Sequence, residues 1–420
     1  MQPDCWPADP RRSIEMKNVL LLAFYFPPRN HIASYRSGCY AKFLPENGWM
    51  PTVVCEDWPA GRPNYDPDFV GVIPPEVEIH RVPFGRPKGI YNRVILRKFA
   101  PYLWPHHAPI TWWRKARAEV LALLERKHFD AIWATSDPLV PLALAETAAE
   151  RARIPWVADI RDCFNVQRLG SWYKRPFSAH QERRLCSQAD HVVAVSEGLA
   201  RGLGKRIGRE VTVIHNGFDA TLLPECPPER SPVFTIVYAG SLFLPHRDPA
   251  PLLQAVENCV RRNLIPRDQI EVQFYGSDPR VIEQALPGAE KRVPMRVFPR
   301  VSHKEMLRVQ MAGSVQLLLS HGSEKGVLTG KVFDYLAAGR PILAVPDDHG
   351  EIAGLLRRTG AGVALTAVEE IARQLVDWYA AWKSGEKVVA GRNETEIARY
   401  SRRAQAKTLA GILDKITVSS

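Results

Sequence analysis

The segment Thr329–Pro341 combines a basic and an acidic residue with the signals of a helix start and a helix end. It reads Thr-Gly-Lys-Val-Phe-Asp-Tyr-Leu-Ala-Ala-Gly-Arg-Pro. Thr329 is a favourable N-cap and Gly339 a favourable terminal residue, so we predict a helix between them. The free amides and positive dipole end of such a helix suit a diphosphate, and Lys331 adds a formal charge. Asp334, one turn further along, can accept hydrogen bonds from two ribose hydroxyls.

The same segment also fits a helix that binds nothing. A capped amphipathic helix would bury its apolar residues and leave the Asp334 carboxylate in water. The residue types alone leave both interpretations open, so the elements that position the segment have to be considered.

Short apolar, β-branched runs alternate with longer helical stretches along the chain. This alternation is typical of β-α units built around parallel sheets. A proline-rich stretch, residues 223–232, separates six predicted strands from five others and is read as an interdomain linker. The predicted strands are Val19–Ala23, Thr52–Cys55, Val77–Val82, Ala131–Ala134, Trp156–Ala158, Val192–Val195, Thr235–Ala239, Glu271–Tyr275, Met295–Phe298, Val315–Leu319 and Ile342–Val345.

Polar residues follow three of the predicted strands in the first half. Asn30 and His31 come after the first strand, Ser136 after the fourth, and Asp159 and Asp162 after the fifth. Ligands of parallel α/β sheets bind beyond the carboxyl ends of the strands. Each cluster alone would be an ordinary solvated loop, but all three meet at one edge of one sheet, which favours a site there.

Composition narrows the class of protein. The 420-residue chain suits two domains, and its formal net charge of +11 favours anionic ligands. Seven scattered cysteines without Cys-x-x-Cys spacing indicate a reducing compartment rather than a disulfide framework or a zinc site. No apolar run is long enough to span a membrane. Met1–Glu15 lacks an apolar signal-peptide region, and we expect ordered structure to begin at Met16.

The segment at 329–341 resembles the nucleotide-binding helix of GT-B glycosyltransferases, specifically glycosyltransferase family 4. Asp334 occupies the position of the second acid of the family's Glu-x7-Glu motif, which binds the donor ribose, and is one methylene shorter. The first-acid position falls on Gly326, with Glu324 nearby but out of register. Segments similar to other family elements follow in the family's order: residues 19–28, 155–162, 189–198, 213–219 and 238–242.

The resemblance implies an α/β protein of the GT-B class, with two Rossmann-like β/α/β domains facing a central cleft. We expect an acceptor domain at residues 16–221, a nucleotide-sugar-binding domain at 222–395, and a C-terminal helix at 396–420 that packs back toward the first domain. Ser241 stands where the family often has a phosphate-binding Arg, and Arg247 is the stand-in for the family's Lys. The implied donor-binding residues are Gly240, Ser241, Arg247, Phe298, Arg300, Glu324, Thr329, Gly330, Lys331 and Asp334.

The implied activity is that of a retaining glycosyltransferase of the hexosyltransferase type. It would move a sugar from a UDP- or GDP-linked donor to a glycan or polyprenyl-diphosphate-linked acceptor, in surface polysaccharide or glycolipid synthesis. Two alternatives remain open: a sugar-nucleotide 2-epimerase and a non-catalytic nucleotide-sugar-binding subunit. The expected catalytic residues are Arg36, Asp159 and Asp162, and the expected acceptor-side residues are Asn30, His31 and Ser136.

No metal cofactor is expected. A helix N-terminus with Lys331 and Arg247 can stabilise the leaving diphosphate without a cation. Asp66 and Asp68 form an Asp-Pro-Asp sequence, but it lies in a proline-rich loop and we do not expect it to bind metal.

The stretch Arg81–Ala118 is basic and aromatic and contains no Asp or Glu. Basic residues beside Trp, Tyr and Leu suit an anionic membrane surface, so we expect a cytoplasmic protein that docks peripherally on the inner face of the membrane. The alternative is an ordinary surface helix pair with its aromatic residues in the core. Nucleic acid is not an expected partner, because no recognised nucleic-acid-binding module accompanies the stretch.

Overall fold

The computed structural model describes residues 16–69, 71–84, 110–136, 138–162, 175–320, 328–386, 388–389 and 391–418, without the side chains of residues 110–111 and 175–178. The chain divides into two compact units. One comprises Met1–Ala194, Leu203–Ile214 and Ala406–Ser420, and the other comprises Val195–Gly202 and His215–Gln405.

The sheet of the first unit contains seven strands, and all its neighbouring strands are parallel. Their order is β3-β2-β1-β4-β5-β6-β7, so the direction of winding reverses between β1 and β4. Such a reversal opens the crevice in which doubly wound sheets bind ligands. The strands are β1 (Lys17–Leu22), β2 (Trp49–Glu56), β3 (Glu78–Val82), β4 (Ala131–Thr135), β5 (Trp156–Ile160), β6 (His191–Ala194) and β7 (Thr212–Val213).

The sheet of the second unit is built in the same way from six parallel strands. Their order is β10-β9-β8-β11-β12-β13, and the reversal falls between β8 and β11. The loops after these two strands therefore border the expected ligand position. The strands are β8 (Phe234–Ala239), β9 (Ile270–Tyr275), β10 (Met295–Phe298), β11 (Val315–Leu319), β12 (Ile342–Val345) and β13 (Gly362–Ala364).

Helices connect the strands in both units. Those of the first half are α1 (Ile32–Phe43), α2 (Ile110–Arg126), α3 (Val140–Ala152), α4 (Arg175–Gln188) and α5 (Glu197–Ile207). Those of the second half are α6 (Ala250–Arg261), α7 (Pro279–Ala285), α8 (Ala289–Arg292), α9 (His303–Ala312), α10 (Lys331–Ala338), α11 (Glu351–Thr359), α12 (Val368–Ser384), α13 (Glu394–Ala398) and α14 (Arg402–Val418).

The strand interiors form the cores. β1, β4 and β5 are buried along most of their length, as β-strands covered by helices on both faces must be. Leu409 and Leu413 of α14 are fully buried in the core of the first unit, and Lys17 pairs with Asp414 at 2.8 Å. No helix of the described residues is both long enough and apolar enough to cross a membrane.

Candidate functional site

Helix α10 lies directly after the point where the second sheet reverses its winding. Its buried face packs Phe333, Tyr335 and Leu336 into the domain core. The Ala239 amide at the end of β8 donates to the Tyr335 hydroxyl at 3.5 Å, which holds the helix against the sheet. Lys331 and Asp334 are three residues apart and share the partly exposed side of the helix. The fold therefore presents this cation and this acid together at the crevice.

The start of α10 differs from the sequence prediction. The helix begins at Lys331, and its N-cap is Gly330, which has no side chain that could cap the first turn. Thr329 is therefore not the N-cap, because it lies one residue too early. The predicted end is confirmed: Gly339 adopts a left-handed conformation, φ 74°, that glycine adopts without strain. In the first turn, the amides of Val332 and Phe333 donate to the Thr329 and Gly330 carbonyls at 3.3 Å. Among the described residues the Lys331 amide has no acceptor, so it is the first-turn amide that could donate to an anion.

Lys331 is a cation in cationic surroundings. Its Nζ lies 5.0 Å from the centre of the Tyr238 ring. Burial, together with the charges of Arg247 and Arg300, lowers the pKa of Lys331 to about 7. No carboxylate of the described residues lies within 4.0 Å of its ammonium group. An anionic ligand would supply the missing counter-charge.

Gly240 makes room for this lysine. A Cβ atom on Gly240 would stand 2.9 Å from Lys331 Cε and still closer to Nζ, and the glycine has a φ of 132°. Its carbonyl accepts a hydrogen bond of 2.7 Å from the Ser277 hydroxyl. The backbone after β8 is therefore held close against Lys331.

Three other predicted donor-side residues lie at or after the ends of β8 and β10. Ser241 is exposed, and its carbonyl accepts a 3.0 Å hydrogen bond from the Tyr238 hydroxyl. Arg247 closes a tight turn through its amide, which donates to the Phe243 carbonyl at 2.7 Å. Phe298, at the end of β10, stacks on Tyr275 with ring centres 4.6 Å apart.

Asp334 has one hydrogen-bonding partner among the described residues, His303. The distance from His303 Nε2 to Asp334 Oδ2 is 3.3 Å, and both side chains are about a quarter exposed. His303 and Tyr238 were not predicted from the sequence. Glu324 and Gly326 lie outside the described residues.

We predict that Gly240→Ala weakens nucleoside-diphosphate binding about 10-fold or more. The new methyl group would displace the Lys331 side chain and would also strain a backbone whose φ is positive. One charge-assisted hydrogen bond is worth about 1.5–3 kcal/mol, or about 10- to 100-fold in affinity. Calorimetric titration would measure the change, with Gly411→Ala as control because a Cβ there meets open space. Equal affinities of the two variants would contradict the prediction.

In the first domain, Arg36 and Asp159 form a buried ion pair. Arg36 Nε donates to Asp159 Oδ2 at 2.7 Å and Nη2 donates to Oδ1 at 3.0 Å. Both side chains are fully buried. The sequence prediction placed these two residues in catalysis. In the structure the pair joins α1 to the end of β5, and a part in catalysis stays a prediction.

Ser136 directly follows β4. Its side chain is fully buried, and its hydroxyl accepts a 3.3 Å hydrogen bond from the Arg161 amide. Arg161 Nε donates to Thr135 Oγ1 at 3.0 Å and to the Ser136 carbonyl. Ser136 therefore links the end of β4 to the end of β5, and its expected place on the acceptor side stays a prediction. Asp162 lies two residues after β5 and is exposed.

His31 is a neutral imidazole at the start of α1. It caps the helix by accepting the Ala33 amide on Nδ1 at 3.2 Å, so its proton is on Nε2. Burial lowers the pKa of His31 to about 4, aided by Arg161 and Arg29. His31 can therefore donate a hydrogen bond to a ligand at neutral pH.

The loop that carries His31 is fixed by its neighbours. In the side chain of Asn30, Nδ2 donates to Asp66 Oδ2 at 2.9 Å and Oδ1 accepts from the Tyr35 hydroxyl at 3.3 Å. Asp66 Oδ1 accepts the Asp68 amide at 3.1 Å. The Asp-Pro-Asp sequence thus caps a short turn. The described residues contain no group of three or more His, Cys, Asp or Glu side chains that could hold a metal ion.

Most of the basic aromatic stretch, residues 85–109, lies outside the described residues. At the beginning of the stretch, Arg81 donates a hydrogen bond to the Pro27 carbonyl at 2.9 Å. Trp112 is fully buried and packs edge-on against Phe24, with ring centres 5.0 Å apart. Trp112 is therefore a core residue and does not insert into a membrane.

Comparisons with known proteins agree with this architecture. Residues 38–217 match the family described as glycosyl transferase 4-like domain. The comparison with curated proteins finds no match.

Several solved structures resemble the whole chain. A glycosyltransferase from Rickettsia africae ESF-5 has a TM-score of 0.67 and 12% identity, covering 96% of this chain and 100% of that one. Anabaena HepE in complex with UDP and glucose has a TM-score of 0.62 and 14% identity, covering 95% and 100%. A putative UDP-N-acetylglucosamine 2-epimerase from Listeria monocytogenes has a TM-score of 0.55 and 11% identity, covering 96% and 98%.

Because the solved structures are only 11–14% identical to this chain, they show its fold and nothing more. The family match is a match to the amino-acid sequence. Both agree with the resemblance to glycosyltransferase family 4: the chain has the GT-B fold with two Rossmann-like domains, and residues 38–217 within it match a glycosyl transferase 4-like domain.

Proposed function

We propose that the protein is a retaining glycosyltransferase that moves a sugar from a UDP- or GDP-linked donor to a glycan or polyprenyl-diphosphate-linked acceptor. The proposed setting is surface polysaccharide or glycolipid synthesis in the cytoplasm. The observation that carries the donor part of this proposal is Lys331, a partly buried cation that faces two arginines and has no carboxylate partner among the described residues.

The donor-side residues match the charge that glycosyl transfer creates. When the sugar leaves its nucleotide, negative charge develops on the diphosphate. Lys331, Arg247 and the positive dipole end of α10 would stabilise that charge. Asp334 would receive the ribose hydroxyls. We test uridine diphosphate first, because HepE was crystallised with UDP and glucose.

Two side chains of the first domain remain candidates for acceptor binding. Asp162 is exposed, and His31 is neutral with a proton on Nε2. We assign hydrogen-bond donation to His31, since an imidazole whose pKa is about 4 is a weak base at neutral pH. The Arg36–Asp159 pair would hold the start of α1, next to His31, against the end of β5. Ser136 would hold the residues directly after β5, next to Asp162.

Incubation with donor alone tests the activity. The full-length protein would be mixed with UDP- and GDP-sugars, with and without lipid-linked or oligosaccharide acceptors, and the products separated by mass. A transferase forms nucleoside diphosphate and glycosylated acceptor, and without acceptor leaves the donor intact or hydrolyses it slowly. Conversion of the donor to its 2-epimer would replace this proposal with epimerase activity. Nucleotide binding without turnover on any acceptor would favour a binding subunit.

Chelation should leave turnover unchanged. In the proposed site the diphosphate is neutralised by Lys331, Arg247 and helix amides, so no divalent cation is required. Initial rates would be compared in EDTA, magnesium and manganese. A loss of activity in EDTA that Mg²⁺ or Mn²⁺ restores would overturn the metal-independent part of the proposal.

We also propose peripheral docking on anionic membranes through Arg81–Ala118. Each basic residue near such a surface contributes about 1 kcal/mol, screened by salt. Replacing Arg93, Arg97 and Lys98 with glutamine should therefore reduce co-sedimentation with anionic vesicles, most strongly at low ionic strength. The control replaces Arg261, Arg262 and Lys291 of the second domain. Wild-type protein that stays in the supernatant with anionic vesicles would favour a soluble acceptor.

A further inference from the structure

His303 is the one described side chain that bonds the proposed ribose-binding carboxylate. Ser302 caps α9 by accepting the Glu305 amide at 3.2 Å, which makes His303 the first residue of that helix. Helices α9 and α10 pack on one another. The histidine therefore approaches Asp334 from a separate, fixed element of the same domain.

The bond has a defined chemistry. An ionised carboxylate only accepts hydrogen bonds, so His303 Nε2 must carry the proton that it donates to Asp334 Oδ2 across 3.3 Å. A carboxylate has two oxygens and about four acceptor sites. The hydrogen bond from His303 uses one acceptor site of Oδ2, so the second site of Oδ2 and both sites of Oδ1 remain for ribose hydroxyls. The same bond limits rotation of the aspartate side chain.

We infer that His303 is a positioning residue that orients the Asp334 carboxylate toward the ribose hydroxyls of the nucleotide. The inference rests on the proposed donor site and adds a second residue to ribose recognition. Without the histidine, the aspartate would have to be ordered when the nucleotide binds, and part of the binding free energy would be lost to that ordering.

The test compares ribonucleotides with deoxyribonucleotides. UDP, GDP and their 2′-deoxy forms would be titrated by calorimetry into full-length wild type, His303→Ala, His303→Gln, Asp334→Ala and the control Lys304→Ala, an exposed neighbour on the same helix. Wild type should prefer the ribonucleotide about 10-fold, the value of a hydrogen bond to a charged group. His303→Ala should lower that preference several-fold, toward the preference of Asp334→Ala, mainly because the variant binds the ribonucleotide more weakly.

His303→Gln should restore most of the preference, because its amide group can place a donor near the position of Nε2. Lys304→Ala should behave as wild type. An unchanged preference in His303→Ala, while Asp334→Ala loses it, would overturn the role of His303 and leave the donor site intact. A wild type that binds neither nucleotide, or an Asp334→Ala variant with wild-type preference, would instead overturn the proposed donor site. Thermal melting of each variant identifies one that fails to fold, and His303→Gln then decides the outcome.

Discussion

Replacing Lys331 with methionine should weaken nucleoside-diphosphate binding about 100-fold. Methionine keeps much of the side-chain volume over the Tyr238 ring but removes the charge that faces Arg247 and Arg300. A hydrogen bond to a charged group is worth up to about 3 kcal/mol, which corresponds to about 100-fold in the dissociation constant. Calorimetric titration would measure the loss. Lys383→Met is the matched control, because Lys383 also lies over a tyrosine ring, that of Tyr379.

The lowered pKa of Lys331 predicts that nucleoside-diphosphate binding depends on pH. In the free protein the pKa of Lys331 is about 7, because burial and two arginines disfavour the charge. A bound diphosphate favours the charge and raises that pKa. Below pH 7 the lysine is already protonated, so this group adds no pH dependence to the affinity. Above pH 7 binding takes up a proton, and the affinity should fall by up to about tenfold per pH unit until the pKa of the complex is reached.

Titrations at pH 8 in buffers of different ionisation enthalpy would detect this proton uptake. Lys331→Met should bind without it, whereas Lys383→Met should retain it. Wild-type binding that is equally tight at pH 7 and pH 9, with no proton exchanged at pH 8, would contradict the role given to Lys331.

Breaking the Arg36–Asp159 pair should cost about 3–5 kcal/mol of unfolding free energy, because either single substitution leaves a buried charge without its partner. Arg36→Met and Asp159→Leu would each lower the denaturant midpoint of the first domain. The double variant should be less destabilised than the sum of the two, since it removes both charges. Chemical denaturation measures the three changes.

The exposed pair Lys17–Asp414 provides the control, and Lys17→Met should cost about 1 kcal/mol or less. Single variants of Arg36 or Asp159 that fold as stably as wild type and yet lose turnover would contradict the structural role and support the predicted catalytic role of these residues.

Strong local signals made part of this structure predictable. The strands at Met295–Phe298, Val315–Leu319 and Ile342–Val345 have the predicted bounds, since each is an apolar run bordered by turn residues. Gly339 marked the end of α10 correctly for a conformational reason. The edge strands Thr212–Val213 and Gly362–Ala364 were missed, because two or three residues form no periodic pattern.

The side-chain pairs that the sequence analysis missed have a common feature. Arg36 and Asp159 are 123 residues apart, and no local pattern shows that their side chains turn toward each other instead of toward solvent. The His303–Asp334 contact joins two helices 31 residues apart and is equally invisible in the sequence. Loop position predicts which residues lie near a sheet edge, but side-chain pairing decides which of them remain available to a ligand.

Hydrogen–deuterium exchange of the full-length protein with and without saturating UDP or GDP tests the central claim most directly. The account predicts slower exchange in the segments after β8 and β10 and around the start of α10, at residues 239–247, 299–304 and 328–335, with at least one of the two nucleotides. Lys331→Met should lose this protection at the same nucleotide concentration. Protection confined to other segments, or none with either nucleotide at millimolar concentration, would contradict a donor site at Lys331 and Asp334.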